Sequence, residues 1–337
     1  VPNAPFAYEG YYDFTPENKF ESSGISAQFD WDINDMVTLT SITAFRNLDR
    51  FENSDVDFTS AALIDSSTGN LTDVDIDTLT QEFRLSGATD NASWMVGAFI
   101  FDEEVTQGSG LVYGTGFRPY ADALSTGLVG GNPLTDPSPF DGIEAGLTAL
   151  GQPTPAGTFY GAGQGLLELS TLDNQAYSLF AQVDIDLGDR ATLTLGGNYT
   201  EDEKDITFDS TGTDVYSNTD LNNDLTVLGA PLPTVLFLQA FEANTGLPPT
   251  PANIAFIESV MPGTSAAIEA GVASNISSLQ GLQFLRPNID FPNSVESGHT
   301  DDEDFTWTVR LAYDWTDDVN VYVSAGTGFK ASSWNLS

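Results

Sequence analysis

From Phe305 to Trp315 every second residue is aromatic or aliphatic: Phe305, Trp307, Val309, Leu311, Tyr313 and Trp315. The residues between them, Thr306, Thr308, Arg310, Ala312 and Asp314, are small or polar. A period of two sorts these sets onto the two faces of an extended strand and cannot build a helical stripe. After Thr316-Asp317-Asp318 the alternation resumes. Val319, Val321, Val323, Ala325, Thr327 and Phe329 fall on one face, with Asn320, Tyr322, Ser324, Gly326, Gly328 and Lys330 on the other. Two such runs around a short polar turn predict a β-hairpin.

The same unit recurs. Tyr177, Leu179, Ala181, Val183, Ile185 and Leu187 alternate with Ser178, Phe180, Gln182, Asp184 and Asp186 up to Gly188-Asp189-Arg190, and Leu193, Leu195 and Tyr199 follow. Leu79, Phe83 and Leu85 return through Trp94, Val96, Ala98 and Ile100. Phe29, Trp31 and Ile33 lead through Asn34-Asp35 to Leu39 and Phe45. The predicted hairpins cover about 18–58, 72–106, 171–209 and 303–331. None of the 17 prolines falls inside them, as expected of residues that cannot donate to a β-ladder.

The links between hairpins are long where the turns within them are short. The stretch 107–170 holds 14 of the 31 glycines and six prolines. In 210–302, Thr250-Pro251 ahead of Ile254, Ile257 and Val260 predicts a capped helix. Val235, Leu238 and Phe241 before Gly246 predict another, and Ile268, Val272, Ile276 and Leu279 a third. A compact soluble domain rarely carries loops this long. Short turns on one side and long loops on the other fit an antiparallel transmembrane β-barrel with periplasmic turns and extracellular loops. Trp31, Trp94, Tyr313 and Trp315 all lie near the short turns, where an interfacial aromatic girdle is expected. A soluble sandwich or solenoid would use the same alternation.

Composition narrows the function. With 10 basic and 49 acidic residues the formal charge is −39, which opposes binding to nucleic acid. There is no cysteine and one histidine, His299, so disulfide frameworks, zinc ribbons and thiol nucleophiles are excluded. No run of about 18 apolar residues forms a transmembrane helix. The chain begins at Val1 without a signal-peptide pattern and ends within an expected strand, so it reads as a piece of something longer.

Several phrases resemble TonB-dependent outer-membrane receptors: Gln81-Glu82-Phe83-Arg84-Leu85 with Trp94-Met95-Val96-Gly97-Ala98-Phe99-Ile100-Phe101, and Leu39 to Arg46. So do Tyr177 to Gln182 with Leu195 to Lys204, and Trp315-Thr316-Asp317-Asp318 through Gly328-Phe329-Lys330. Asn198 and Thr327 stand where that pattern commonly has arginine. The resemblance implies a barrel of about 22 strands around an N-terminal plug, of which this chain supplies about eight, without plug or closing strand. It implies no enzymatic chemistry and no cofactor. The implied role is energised import of a scarce ligand, foremost a ferric siderophore, then a glycan or corrinoid. The implied partners are the TonB complex, through the missing plug, and the lipid and lipopolysaccharide of a Gram-negative outer membrane. A passive porin and a secreted soluble β-protein, lectin-like or hydrolytic, are the competing classes.

Among candidate residues, Arg46, Arg84, Arg310 and Lys330 fall on the polar strand face, where they would meet a plug, an anionic ligand or neighbouring carboxylates. Tyr113, Arg118, Arg286 and His299 lie in or beside the long loops as candidate ligand contacts. Asp73, Asp75 and Asp77 have an EF-hand flavour but lack the glycine and the terminal glutamate of that loop. They read as a solvated face. The clusters Glu201-Asp202-Glu203 and Asp301 to Asp304 read as outward charge at strand ends, with weak divalent-cation binding as the alternative, and no dedicated metal site is expected.

Overall fold

The computed structural model describes residues 11–66, 73–128, 130–149, 153–223, 226–227 and 229–335. Its elements are, in order, β1 (Glu17–Asn34), β2 (Val37–Asn53), β3 (Ile64–Asp65), β4 (Asp73–Thr89), β5 (Ala92–Tyr113), α1 (Phe117–Leu128) and α2 (Pro139–Ala149). There follow β6 (Gly165–Asp186), β7 (Ala191–Gly212), β8 (Thr226–Val227), β9 (Ala230–Pro231), α3 (Leu232–Thr245), α4 (Pro251–Val260), α5 (Thr264–Gln280), β10 (His299–Thr316) and β11 (Val319–Gly326). Eight strands form one antiparallel meander in the order β1-β2-β4-β5-β6-β7-β10-β11, with β3 added beside β5. The fold is the all-β, antiparallel architecture that the alternation predicts.

Register shows what the alternation is for. Trp31, Leu39, Leu85, Val96, Ala181, Gly197 and Trp307 stand opposite one another across seven strands. The next row on the same face runs Phe29, Ser41, Phe83, Ala98, Leu179, Tyr199 and Phe305. These residues line one face, and Trp31, Phe29, Phe83, Leu179, Phe305, Trp307 and Leu311 all remain exposed. Along β10 the apolar run covers ten residue steps, roughly 33 Å of strand, or roughly 25 Å of height at the tilt usual in barrels. The opposite face carries Arg46, Arg84, Lys204 and Arg310, each of opposite parity to the apolar rows.

The strands of the middle hairpins outrun their predicted ends. β5 continues to Tyr113 and β6 starts at Gly165, so the first long link shrinks to 114–164. The predicted continuation of the last strand to Lys330 is not found, because β11 ends at Gly326. Gly326 and Gly328 offer no side chains to hold a ladder. Thr327 still donates its N–H to the Trp307 carbonyl at 3.0 Å. The chain then crosses the polar face, where Ser332 donates its N–H to Asp302 at 2.8 Å and Trp334 stacks on Phe291.

The two long links fold together into a helical cap, and the buried core of the molecule lies there. Phe140, Tyr160, Tyr216 and Phe241 are fully buried, with Tyr113, Phe159 and Leu221 close to it. α3, α4 and α5 match the sequence expectation. Thr250 caps α4 by accepting from the Asn253 N–H at 3.2 Å, and α3 stops at Gly246 in the left-handed region, φ 69°. α1 and α2 lie where sequence patterning predicts only glycine-rich loop. Pro119 is tolerated in the first turn of α1, where its missing N–H costs nothing. Ser138 accepts from the Phe140 N–H at 3.1 Å to start α2 behind Pro139.

β5 hands over to α1 through a close backbone approach. Gly114 and Gly116 donate to the Leu63 and Ala62 carbonyls, each at 2.7 Å, and a Cβ on Gly114 would lie 2.3 Å from the Ala62 oxygen. Gly114→Ala should therefore cost about 1–3 kcal/mol through forced displacement. The expected readout is loss of hydrogen-exchange protection at Gly114 and Gly116, with the strand ladders unchanged.

Candidate functional site

Three polar features could meet a ligand or partner: the polar wall of the sheet, the underside of the cap, and a carboxylate rim above the apolar rows.

On the polar wall, the sequence-predicted cations are placed separately. Arg46 faces Gly24 across the ladder, and a Cβ there would touch its Cγ at 3.1 Å. Arg84 pairs with Glu82 two residues away, while its buried Nε has no partner. Arg310 lies 4.3 Å over the Tyr322 ring, a cation–π contact. Lys330 lies beyond β11 and is exposed. None of these four meets another.

Nearer the cap, the same wall forms a cavity of about 320 Å³ lined by Arg50, Glu52, Ser54, Gln107, Ser109 and Glu168, among others. Glu168 also accepts from Asn288 at 2.6 Å, which ties the segment following α5 to the wall. Sequence reasoning passed over Arg50, although it has the strand parity of Arg46.

Tyr113 and Arg118 are used inside the cap. The Tyr113 hydroxyl donates to Asp214 at 2.9 Å; Asp214 is 0% exposed and also accepts from Ser217 and from the Tyr216 N–H. Burial, reinforced by the Asp214 carboxylate, pushes the Tyr113 phenol far above its usual range. Burial likewise raises Tyr160 and Tyr216. All three therefore remain protonated donors. Tyr160 donates to the Leu282 carbonyl at 2.6 Å, joining the first long link to the second, and Tyr216 donates to that of Leu279 at 3.1 Å within the second.

Arg118 binds Asp122 through Nε at 2.8 Å, Asp141 through Nη2 at 2.7 Å and Glu144 through Nη1 at 2.7 Å. Glu144 is 1% exposed and accepts further from the Gly157 and Phe159 N–H groups. Arg286 stays exposed, and its charge helps hold the Asp220 carboxyl below its usual range, behind the hydrogen bonds from Asn223 and Asn222.

His299 opens β10 on the apolar-row side of the sheet, away from the polar wall, in a row that runs Asn47, Asp77, Glu104, Asp173, Asp205, His299. The row beneath runs Leu79, Asp102, Gln175, Glu203, Asp301. Glu201 and Glu303 face each other one row lower, and Asp49 and Asp75 one row above. The D-x-D-x-D run thus contributes Asp75 and Asp77 to a continuous carboxylate rim; the side chain of Asp73 lies outside the described residues. Among the described residues, the group with metal-ligating spacing is Glu203, Asp205 and His299.

No protein-family model and no curated protein matches the sequence. Solved structures do. The ferric yersiniabactin uptake receptor FyuA from Yersinia pestis aligns over 92% of this chain and 28% of its own, with TM-score 0.43 and 10% identity. The ferric-catecholate import receptor Fiu from E. coli K12 aligns in its open form over 94% of this chain and 36% of its own, with TM-score 0.41 and 13% identity. Its closed form gives 93%, 33%, 0.42 and 13%. The chain spans about a third of the length of these receptors.

Two outcomes follow. Arg118→Ala leaves Glu144 buried and unpaired, and should destabilise the cap by about 3–5 kcal/mol, read as hydrogen exchange rising across 139–160 while the ladders stay protected. The hydrogen bond to Asp205 raises the pKa of His299, with nearby carboxylates adding to the effect. Its stabilising contribution is therefore complete below about pH 6.5, the unfolded value. It is lost as pH rises through the higher folded value. The single imidazole resonance should titrate above 6.5, and Asp205→Asn should move that midpoint down.

Proposed function

We propose that this chain is wall and outer loops of a plugged outer-membrane receptor, which binds a scarce ligand and imports it with energy delivered through TonB. The observation that carries the reading is the exposed apolar face, held in register across the meander, broken on β2 and β4 by the hydrogen-bonded Ser41, Thr43 and Gln81, and bounded on one side by carboxylates. In water such a face would be a large unpaired hydrophobic patch; against lipid it is the expected outer surface of a barrel wall. The unpaired outer edges of β1 and β11 call for further strands, because lipid does not tolerate open sheet edges.

The cap then sits on the extracellular side, over a lumen lined by the polar wall. The cavity containing Arg50, Gln107 and Glu168 is the leading ligand contact, and Tyr113 and Arg118 act as cement within the cap. The motifs around Gln81–Leu85 and Trp315–Lys330 support the receptor reading through their resemblance to TonB-dependent receptors, and a ferric siderophore is the leading ligand class, ahead of glycans and corrinoids. The barrel wall makes no bonds and needs no cofactor. Its surroundings are the lipid and lipopolysaccharide of a Gram-negative outer membrane.

The test uses cells whose uptake of a ferric siderophore depends on the full-length receptor. Uptake should saturate and should stop when the proton-motive force is dissipated. Continued uptake in unenergised cells would instead identify a porin. Monodisperse, cooperatively folding protein in water without detergent would sink the membrane placement itself.

A further inference from the structure

We infer that Glu203, Asp205 and His299 form a surface site for a divalent transition-metal ion of the Zn²⁺ type, on the outward face of the wall above the apolar rows. His299 Nδ1 lies 2.9 Å from Asp205 Oδ1 and 4.0 Å from Glu203 Oε1. One donor atom from each residue falls within 4.8 Å of the other two. Three protein donors with water completing the shell is a usual arrangement for accessible zinc.

The donors come from two strands whose pairing fixes them: His299 stands opposite Asp205, and Glu203 opposite Asp301. Asp173 flanks Asp205 from the other side, so two further carboxylates lie beside the site. Beside it a concavity of about 260 Å³ is lined by Asp102, Glu104, Asp173, Glu203 and Asp205, among others, which leaves room for coordinated water.

Electrostatics leaves room for an external cation here, because the His299–Asp205 pair offsets only part of the carboxylate charge. Glu104, Asp173 and Asp205 stand directly opposite one another on successive strands, an arrangement of like charges that is destabilising unless neutralised. The cations Arg46, Arg50, Arg84, Lys204 and Arg310 project to the other face. The donor set then selects the ion. Calcium and magnesium want six or more oxygen ligands, whereas an imidazole nitrogen with two carboxylates suits zinc and its neighbours. The chain's one histidine lies where it turns a patch of carboxylates into a chelate.

This inference does not depend on the transport reading, and its test reads binding alone. The full-length protein in metal-free solution is titrated with Zn²⁺ by calorimetry, and the histidine ring resonance is followed in parallel. One high-affinity equivalent should bind and shift the ring signal, and a large excess of Mg²⁺ should not. His299→Ala should weaken binding roughly tenfold or more, with Asp205→Asn and Glu203→Gln weakening it by lesser factors. All three positions are exposed, so each variant should keep the parent's β-sheet circular dichroism. Unchanged zinc affinity in His299→Ala, or zinc displaced by equimolar Mg²⁺, would overturn the assignment.

Discussion

Every part of this molecule depends on one register. Because side chains alternate along a strand, a slip of one residue would carry Phe305, Trp307 and Leu311 to the polar face and bring Arg310 among the apolar rows. The ladders β5–β6 and β6–β7 run 21 pairs each without a break. They therefore fix where the apolar band ends, where the carboxylates begin and which residues open toward the cap. Tight turns at Asp35-Met36, Asp90-Asn91 and Asp317-Asp318 set that register locally.

The cap follows different physics. The sheet has little buried core of its own, since one face stays apolar and uncovered while the other is polar. The cap has a compact aromatic core, with Phe140 and Tyr216 edge to face at 4.9 Å and Tyr113 stacked on Phe117 at 4.0 Å. Its buried carboxylates Asp214 and Glu144 are satisfied by donors from within the cap. The two links behave as one body because Tyr160 of the first donates to Leu282 of the second, and Phe140 and Phe159 pack edge to face on Tyr216.

Sequence patterning reached as far as local physics reaches. The alternation from Phe305 to Trp315 and the absence of proline from the long strands were enough to identify the hairpins. Thr250-Pro251 and Gly246 were enough to bound two helices. α1 and α2 were hidden because glycine and proline dominate their neighbourhood, although Phe117, Ala121, Leu124 and Leu128, and Phe140, Ile143 and Leu147, carry helical spacing. The roles of Tyr113 and Arg118 were hidden for another reason: their partners Asp214 and Glu144 lie 101 and 26 residues away. Position in a loop suggested contact with solvent and ligand, whereas folding brought each to a buried carboxylate. His299 is similar, since only the pairing of β7 with β10 places Asp205 beside it.

The carboxylate rim carries one more piece of information. Its lowest acidic residue is Asp49 on β2, Asp77 on β4, Asp102 on β5, Asp173 on β6, and Glu201 and Glu303 on β7 and β10. From β2 to β10 this boundary descends by six residues overall, roughly 20 Å, with β6 set back by one row, while crossing five strand spacings, roughly 24 Å. A flat surface drawn through the rim therefore meets the strands at a lean of about 40° from its normal, within the range that closed barrels adopt. The placement of a few aspartates and glutamates encodes the inclination of the whole wall.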